Sequence, residues 1–496
     1  MQKIKKIYRF LLILLPVLLY FSYFPVIALG KDATMNFELS LPLIWLVAFD
    51  VVALMLMGMQ RKIGLFVKKW IFLLFPIFAS LSIIWSSNIL RGVLTAGMMW
   101  AIYVAVFAMV ALKDEVMDWK FRQKILKVFL GASLAVCAWC FLQCILDIAG
   151  VPRDCSLLCQ GCVSLMFGFP HPNGFAVEPQ FMGNLLLAPT ILTMWLIMRR
   201  KTDSLEQGGL DSRFLYTCCI IFAVTLFLTF SRGAIYAFGV GTVFLTAFML
   251  VRARKKEWGK VWKRVGITWG IVILSFVITL NVQGIMAEVG PTNDTYTSAI
   301  AKVLNHLSLG IIDLREKPSE LPVDIDEPVV VASTDVVLAE DDNKKDAIFD
   351  GYVVESTEIR KKMTDNALVV WRSSFKNTMF GVGLGGAGRA MQEAGLIDNA
   401  NEIVQNQYAS LLLETGVVGV ALLIVMLVFV LKLVIATPIS SLLLTMFVSY
   451  GISLLFFAGL PNALQIYLMP AVCYVMFYDK KLYDKIKITK DKQQNG

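Results

Sequence analysis

Long apolar runs recur along the chain, separated by short polar connections. A helix of about 20 apolar residues crosses the roughly 30 Å of bilayer hydrocarbon. On that pattern twelve spans are predicted, at 7–29, 38–59, 70–86, 92–112, 126–149, 175–198, 214–230, 233–251, 265–283, 408–431, 439–459 and 461–478. The first follows a basic start, and its apolar run is too long for the core of a cleavable signal, so it reads as a retained membrane helix.

The positions of Lys and Arg test this count, because cytoplasmic connections are rich in them. Alternate connections carry the charge: Lys3, Lys5, Lys6 and Arg9; Arg61, Lys62, Lys68 and Lys69; Lys113 through Lys127; Arg199 to Lys201; Arg252 through Arg264; and the tail from Lys480. The opposite set is poor in base: Lys31, Arg91, Arg153 and Arg232 are single residues in their connections. The expected protein is therefore an all-α, multi-pass protein of the cell membrane with both termini cytoplasmic.

One connection differs from the rest. Residues 284–407 form a loop of 124 residues with 20 Asp and Glu against 11 Lys and Arg, predicted to lie outside. The chain divides accordingly into spans 1–283, the loop 284–407, spans 408–478 and a cytoplasmic tail 479–496. Within the loop, residues 316–346 are acidic, contain proline and lack a helical period, which suits a variable insert. Amphipathic helices are predicted at 298–312 and 358–378.

Composition agrees with the pattern. The chain is 57% hydrophobic and 17% charged, with mean hydropathy +0.68, where soluble domains carry about 25% charge. The net charge of +9 follows from topology and does not imply nucleic acid. Two histidines in 496 residues speak against a His-rich metal centre, and no metal or cofactor is expected. Cys155, Cys159 and Cys162 have a spacing also used for iron–sulfur clusters, but a short loop beside a membrane helix favours a disulfide or free thiols. Cys137, Cys140, Cys144, Cys218, Cys219 and Cys473 lie in spans and read as small apolar residues. There is no internal repeat of the kind that marks many transporters.

Three polar stretches stand out against the apolar background. In "SRG" (231–233), Arg232 lies in a very short link between two spans. It reads either as a snorkelling arginine at a helix end or as a phosphate contact, which its planar fork suits. In "HPNGFAVEPQFMGN" (171–184), Glu178 stands at the start of an apolar segment, with Gln180 and Asn184 four residues apart. Glu178 is either a structural ion-pair partner or a group that orients or deprotonates a hydroxyl; His171 reads as a solvated loop histidine. In "NEIVQNQYASLLLETGVVG" (401–419), Asn401, Gln405 and Tyr408 would share a helical face, as an interfacial cap or as a polar wall of a site. Between the last two stretches, "GVGLGGAG" (381–388) places five glycines in eight residues. Such a segment turns sharply or brings backbone close to a ligand. It is not a dinucleotide fingerprint, since no parallel-sheet unit surrounds it.

In this order these stretches resemble the O-antigen ligase and polymerase family of bacterial envelope assembly. That family has about a dozen spans, an SR-G step between central helices and a large external loop late in the chain. The loop ends in a W…G-x-G segment and then HN-x-Y-L…E-x-G-x-x-G. Here the matching elements are Ser231–Gly233, Trp371 with "GVGLGG" (381–386), and "QNQYASLLLETGVVG" (405–419); "EPQF" (178–181) resembles an EP element of the polymerase branch. The resemblance covers about residues 160–430.

It implies a glycosyltransferase C-type fold and a metal-independent transfer, at the outer face, from an undecaprenyl-pyrophosphate-linked oligosaccharide in the lipid bilayer. Flippase and chain-length regulator proteins are the further partners it suggests. Arg232 and Ser231 would meet the diphosphate, Glu178 would be base or orienter, and Gln405, Asn406 and Tyr408 would line the acceptor site. Two departures matter. Gln405 stands where the ligases have histidine, and an amide orients a hydroxyl without taking its proton. Ala367 stands where they have arginine, a charge that Arg360, Arg372 or Arg389 would have to replace. Both departures favour a polymerase of O-antigen, capsule or exopolysaccharide. The alternatives are a ligase delivering glycan to a lipid or protein and a lipid-linked oligosaccharide flippase.

Overall fold

The structure, a computed structural model, describes residues 1–22, 26–29, 37–149, 171–176, 178–199, 210–253, 258–289, 295–308, 311–312, 314, 358–458 and 463–477. Nearly all of these residues are helical. The expected insert at 316–346 and the cysteines at 155, 159 and 162 lie outside the described residues.

Each predicted span has a helix at its position. In chain order the helices are α1 (Gln2–Leu18), α2 (Leu41–Met59), α3 (Gly64–Lys68), a short one between two predicted spans, α4 (Leu74–Leu81), α5 (Ile89–Val116), α6 (Trp119–Ile148), α7 (Pro179–Arg199), α8 (Ser212–Leu228), α9 (Arg232–Arg252) and α10 (Trp258–Val289). The large loop contributes α11 (Tyr296–Leu307), α12 (358–372), α13 (Phe375–Phe380) and α14 (Ala387–Glu393). Then follow α15 (Gln407–Ile435), α16 (Ser440–Ser453) and α17 (Leu464–Phe477). Among the described residues, α2, α5, α6, α7, α9, α10 and α15 are long and apolar enough to cross a membrane. Shorter apolar helical stretches occupy 70–85, 212–228, 440–453 and 464–477.

Two boundaries depart from the apolar pattern. The first helix ends at Leu18, not 29, and residues 26–29 pair antiparallel with 37–40, Val26 opposite Ser40. Hydropathy counts apolar residues but is blind to strand propensity, and the β-branched pair Val26–Ile27 follows Pro25, which disfavours helix in the residue before it. The 70–86 span is likewise divided, with α4 flanked by 3₁₀ turns at Trp70–Leu73 and Ser82–Trp85.

At the centre stands α7. It is apolar on every side and buried along nearly its whole length, as expected of a helix enclosed by others. The helices α8, α9 and α16 pack around it. Trp195, fully enclosed, donates its indole N–H to Ser441 Oγ on α16 at 2.9 Å. Cys137, Cys140, Cys144, Cys218, Cys219 and Cys473 are buried thiols, as their apolar setting suggests.

The glycine-rich stretch 381–386 is a packing joint, not a ligand cradle. Gly383 and Gly385 have φ of +93° and +76°, which only glycine adopts without strain. A Cβ on Gly383 would come within 2.6 Å of the Ser82 carbonyl. The loop's polar groups are taken up by protein: Val382 and Gly383 donate to the carbonyls of Leu413 and Glu414, and Leu384 N–H donates to Ser82 Oγ. Ser86 and Ser87 in turn donate to the carbonyls of Leu384 and Gly386. The Glu414 carboxylate accepts from the N–H groups of Gly385 and Ala387, close to Arg91. Two residues on, Gly416 breaks the helical path of α15 with φ +62°. The loop thus locks the start of α5 to the bend in α15, with the Glu414 carboxylate as the bolt.

Candidate functional site

The site forms where three distant segments meet at the start of α7. Glu178 immediately precedes that helix and is exposed, and Gln180 in its first turn is buried. Arg360 of α12 donates to Gln180 Oε1 at 3.2 Å, and Gln180 Nε2 donates to the Phe456 carbonyl at 3.0 Å. One side chain therefore joins the loop helix to the turn after α16. Although part of the Glu178 side chain reaches solvent, the protein packed around its carboxylate reduces its hydration and pushes its pKa up, while Arg360 pulls it down; the net direction is up.

The second segment is the link between α8 and α9. Phe230 has φ +46°, a left-handed conformation uncommon for any residue but glycine, asparagine or aspartate. Ser231 then caps α9, its hydroxyl accepting from Ala234 N–H at 3.4 Å. Arg232, the first residue of α9, is only 9% exposed. Close packing keeps this corner tight: a Cβ on Gly233 would lie 2.8 Å from Phe456 Cβ.

The third segment is α11. His306 lies against the Phe230 carbonyl, Nε2 to oxygen 3.2 Å, and the Tyr236 hydroxyl donates to the Leu307 carbonyl at 2.5 Å. The His171 ring packs on Phe230 with centroids 5.1 Å apart. Both histidines are buried and their pKa values fall to about 3. Burial is the main cause for each; Arg232 and Arg360 add to it at His306, and His306 at His171. The expectation that His171 is solvated is thus corrected: it is 3% exposed, because its ring covers Phe230.

The segment before α15 lies on the other side of the turn after α16. Asn406 caps α15, its Oδ1 accepting from the N–H groups of Tyr408 and Ala409 at 3.0 and 3.2 Å. The Tyr408 hydroxyl donates to the Gly451 carbonyl, and Gln407 N–H to that of Leu454. The cap sets the helix start at 407, so Asn401 and Gln405 precede it and do not share a helical face with Tyr408, contrary to expectation. Gln405 and Tyr408 are exposed. The 454–457 turn lies between this segment and Gln180.

Residues 217–424 match the family model described as Wzy_C, O-antigen ligase. This part of the chain is thus similar to the O-antigen ligase and polymerase family. No curated protein matches it, and no solved structure does. The matched stretch runs from α8 into α15 and so contains the Ser231–Gly233 step, the large loop and the 405–419 motif that carried the resemblance. The family includes both ligases and polymerases of surface glycans, and the match does not separate them.

Within this family domain the structure distinguishes among the three arginines left open by spacing. Arg360 joins the Gln180–Glu178 corner and adds to the charge felt by His306. Arg372 lies over the Trp371 ring at 5.7 Å, and Arg389 is exposed and pairs with Glu393 at 3.1 Å. Sequence reasoning passed over His306. The signal available was that the chain's two histidines both fall in stretches flanking spans; their meeting at Phe230 is a tertiary fact that no spacing encodes.

Proposed function

We propose that the protein is a polysaccharide polymerase. It transfers a growing glycan from undecaprenyl pyrophosphate to a lipid-linked repeat unit at the outer face of the cell membrane. The observation that carries the reading is the convergence of Arg232 and Arg360 with Glu178 at one end of an apolar helix bundle. The bond broken joins the anomeric carbon to diphosphate oxygen, and its electron pair leaves with the diphosphate. Fixed guanidinium groups in a water-poor corner stabilise that developing charge. The bond formed runs from the acceptor hydroxyl oxygen to the same carbon, and Glu178 takes the hydroxyl proton. A carboxylate with a raised pKa is the stronger base for that purpose. Gln405 and Tyr408, exposed across the 454–457 turn, would face the acceptor sugar.

The ligase reading draws on the matched model's own description. Against it stands Gln405 in the place of the ligase histidine. Reconstitution of the purified protein with a defined lipid-linked repeat separates the two. A ladder of lengthened lipid-linked chains supports polymerisation; transfer of single repeats to an added lipid acceptor, without a ladder, refutes it.

A further inference from the structure

The connection at 229–231 holds an uncommon conformation. Phe230 at φ +46° is one of two non-glycine residues with positive φ among those described, and the other, Arg61, lies at the far end of α2. A left-handed non-glycine residue is strained and persists only where its surroundings enforce it. Here the enforcement comes from outside the two helices being joined. The carbonyl of Phe230 faces Nε2 of His306. A carbonyl can only accept, so Nε2 carries the proton and donates it. The His171 ring packs against the phenyl group. One helical turn into α9, Tyr236 ties the end of α11 to the same corner. The next residues after the strained carbonyl are the cap Ser231 and then Arg232.

We propose that His306 is a positioning residue for Arg232. From α11 of the large loop it holds the Phe230 carbonyl, and with it the left-handed turn that sets where α9 begins and where its first guanidinium stands. The loop and the anion site are thereby coupled: only when α11 is seated is Arg232 in register for a diphosphate. The inference deepens the proposed function, since it rests on Arg232 binding the lipid diphosphate.

The test uses the strain itself. In His306→Ala the turn loses its clamp, and the KM for the lipid-linked donor rises about tenfold or more, with a smaller change in kcat. Adding Phe230→Gly removes the need for the clamp, because glycine adopts φ near +46° without penalty. The double variant H306A/F230G therefore recovers most of the lost KM, whereas a histidine acting directly on substrate would not be replaced by a backbone change. His306→Gln, whose amide can donate from about the place of Nε2, stays within a few-fold of the parent. A KM for H306A equal to that of the parent, or a double variant no better than H306A, overturns the proposal. If H306A cannot be purified, His306→Asn, whose amide is too short to reach the carbonyl, replaces it against H306Q; equal KM values for the two overturn it as well. Arg232→Ala runs alongside. An active R232A refutes the reading of the anion site, whereas an inactive R232A with no rescue by F230G refutes the positioning role alone.

Discussion

Arg360 and Gln180 are joined by a 3.2 Å hydrogen bond across 180 residues of sequence. Through it the helix at 358–372 docks on the first turn of the most enclosed helix of the bundle. A charged donor on a buried amide is worth about 1.5–3 kcal/mol. Arg360→Ala is therefore expected to lower kcat/KM for the lipid-linked donor by about tenfold to a hundredfold. Arg372→Ala and Arg389→Ala, whose side chains are engaged by Trp371 and Glu393, are expected to stay within a few-fold of the parent. Steady-state kinetics on the three variants check the ranking.

Glu178 gives a prediction about pH. Its pKa is raised above the ordinary glutamate value by loss of hydration, against the opposing pull of Arg360. A base works when deprotonated, so the rate falls on the acid side as the carboxylate takes up a proton, with a midpoint above the usual glutamate range near 4.3. Removing the Arg360 charge takes away the lowering influence, and Arg360→Gln shifts that acid limb to still higher pH. Glu178→Gln is expected to lower kcat by about 10²–10⁴-fold and to erase the limb. The pH–rate profiles of the three proteins supply the check.

The two histidines make the fold sensitive to acid. Their folded pKa values of about 3 lie below the unfolded value near 6.5. Between these limits the unfolded chain binds more protons, so stability is fully present above pH 6.5 and is lost progressively as pH falls toward 3. Thermal unfolding of the protein in detergent should show a midpoint that drops steeply between pH 6.5 and 4. His171→Gln should flatten part of that slope; an unchanged slope would mean that the imidazole is not buried neutral.

The glycine joint gives a prediction on assembly, not on chemistry. A side chain on Gly385 meets the backbone of Arg91 and Gly92 and requires a φ of +76°, and the strain alone costs about 1–3 kcal/mol. Gly385→Ala and Glu414→Ala, which takes away the acceptor for the Gly385 and Ala387 N–H groups, should both lower the yield of folded protein and its unfolding temperature. Fluorescence-detected size exclusion after heating reads this directly.

Much of the bundle was legible because bilayer length is written in apolar runs, and each of the twelve predicted segments has a helix at its place. The loop helices at 298–312 and 358–378 were legible in the same way, as apolar periodicity; the second is interrupted at Ser374, which caps α13 through Asn377 N–H. The local chemistry of Arg232, Glu178 and Gln180 was visible as polar residues that an apolar setting makes costly. What sequence could not supply was pairing. Nothing in the spacing selects Arg360 over Arg372 and Arg389, sends Glu414 to the N–H groups of a glycine loop, or brings both His171 and His306 against Phe230. The start of α15 was misplaced for a similar reason: Asn401, Gln405 and Tyr408 fit a helical period, but the Asn406 cap decides where the helix begins.

In the proposed function Arg232 grips the diphosphate of a polyprenyl carrier. Equilibrium binding of undecaprenyl pyrophosphate and undecaprenyl phosphate to the purified protein and to Arg232→Ala tests it most directly. The parent is expected to prefer the diphosphate, and the variant to lose about tenfold or more of that affinity together with the preference. Equal affinity and equal preference in the two proteins would contradict it.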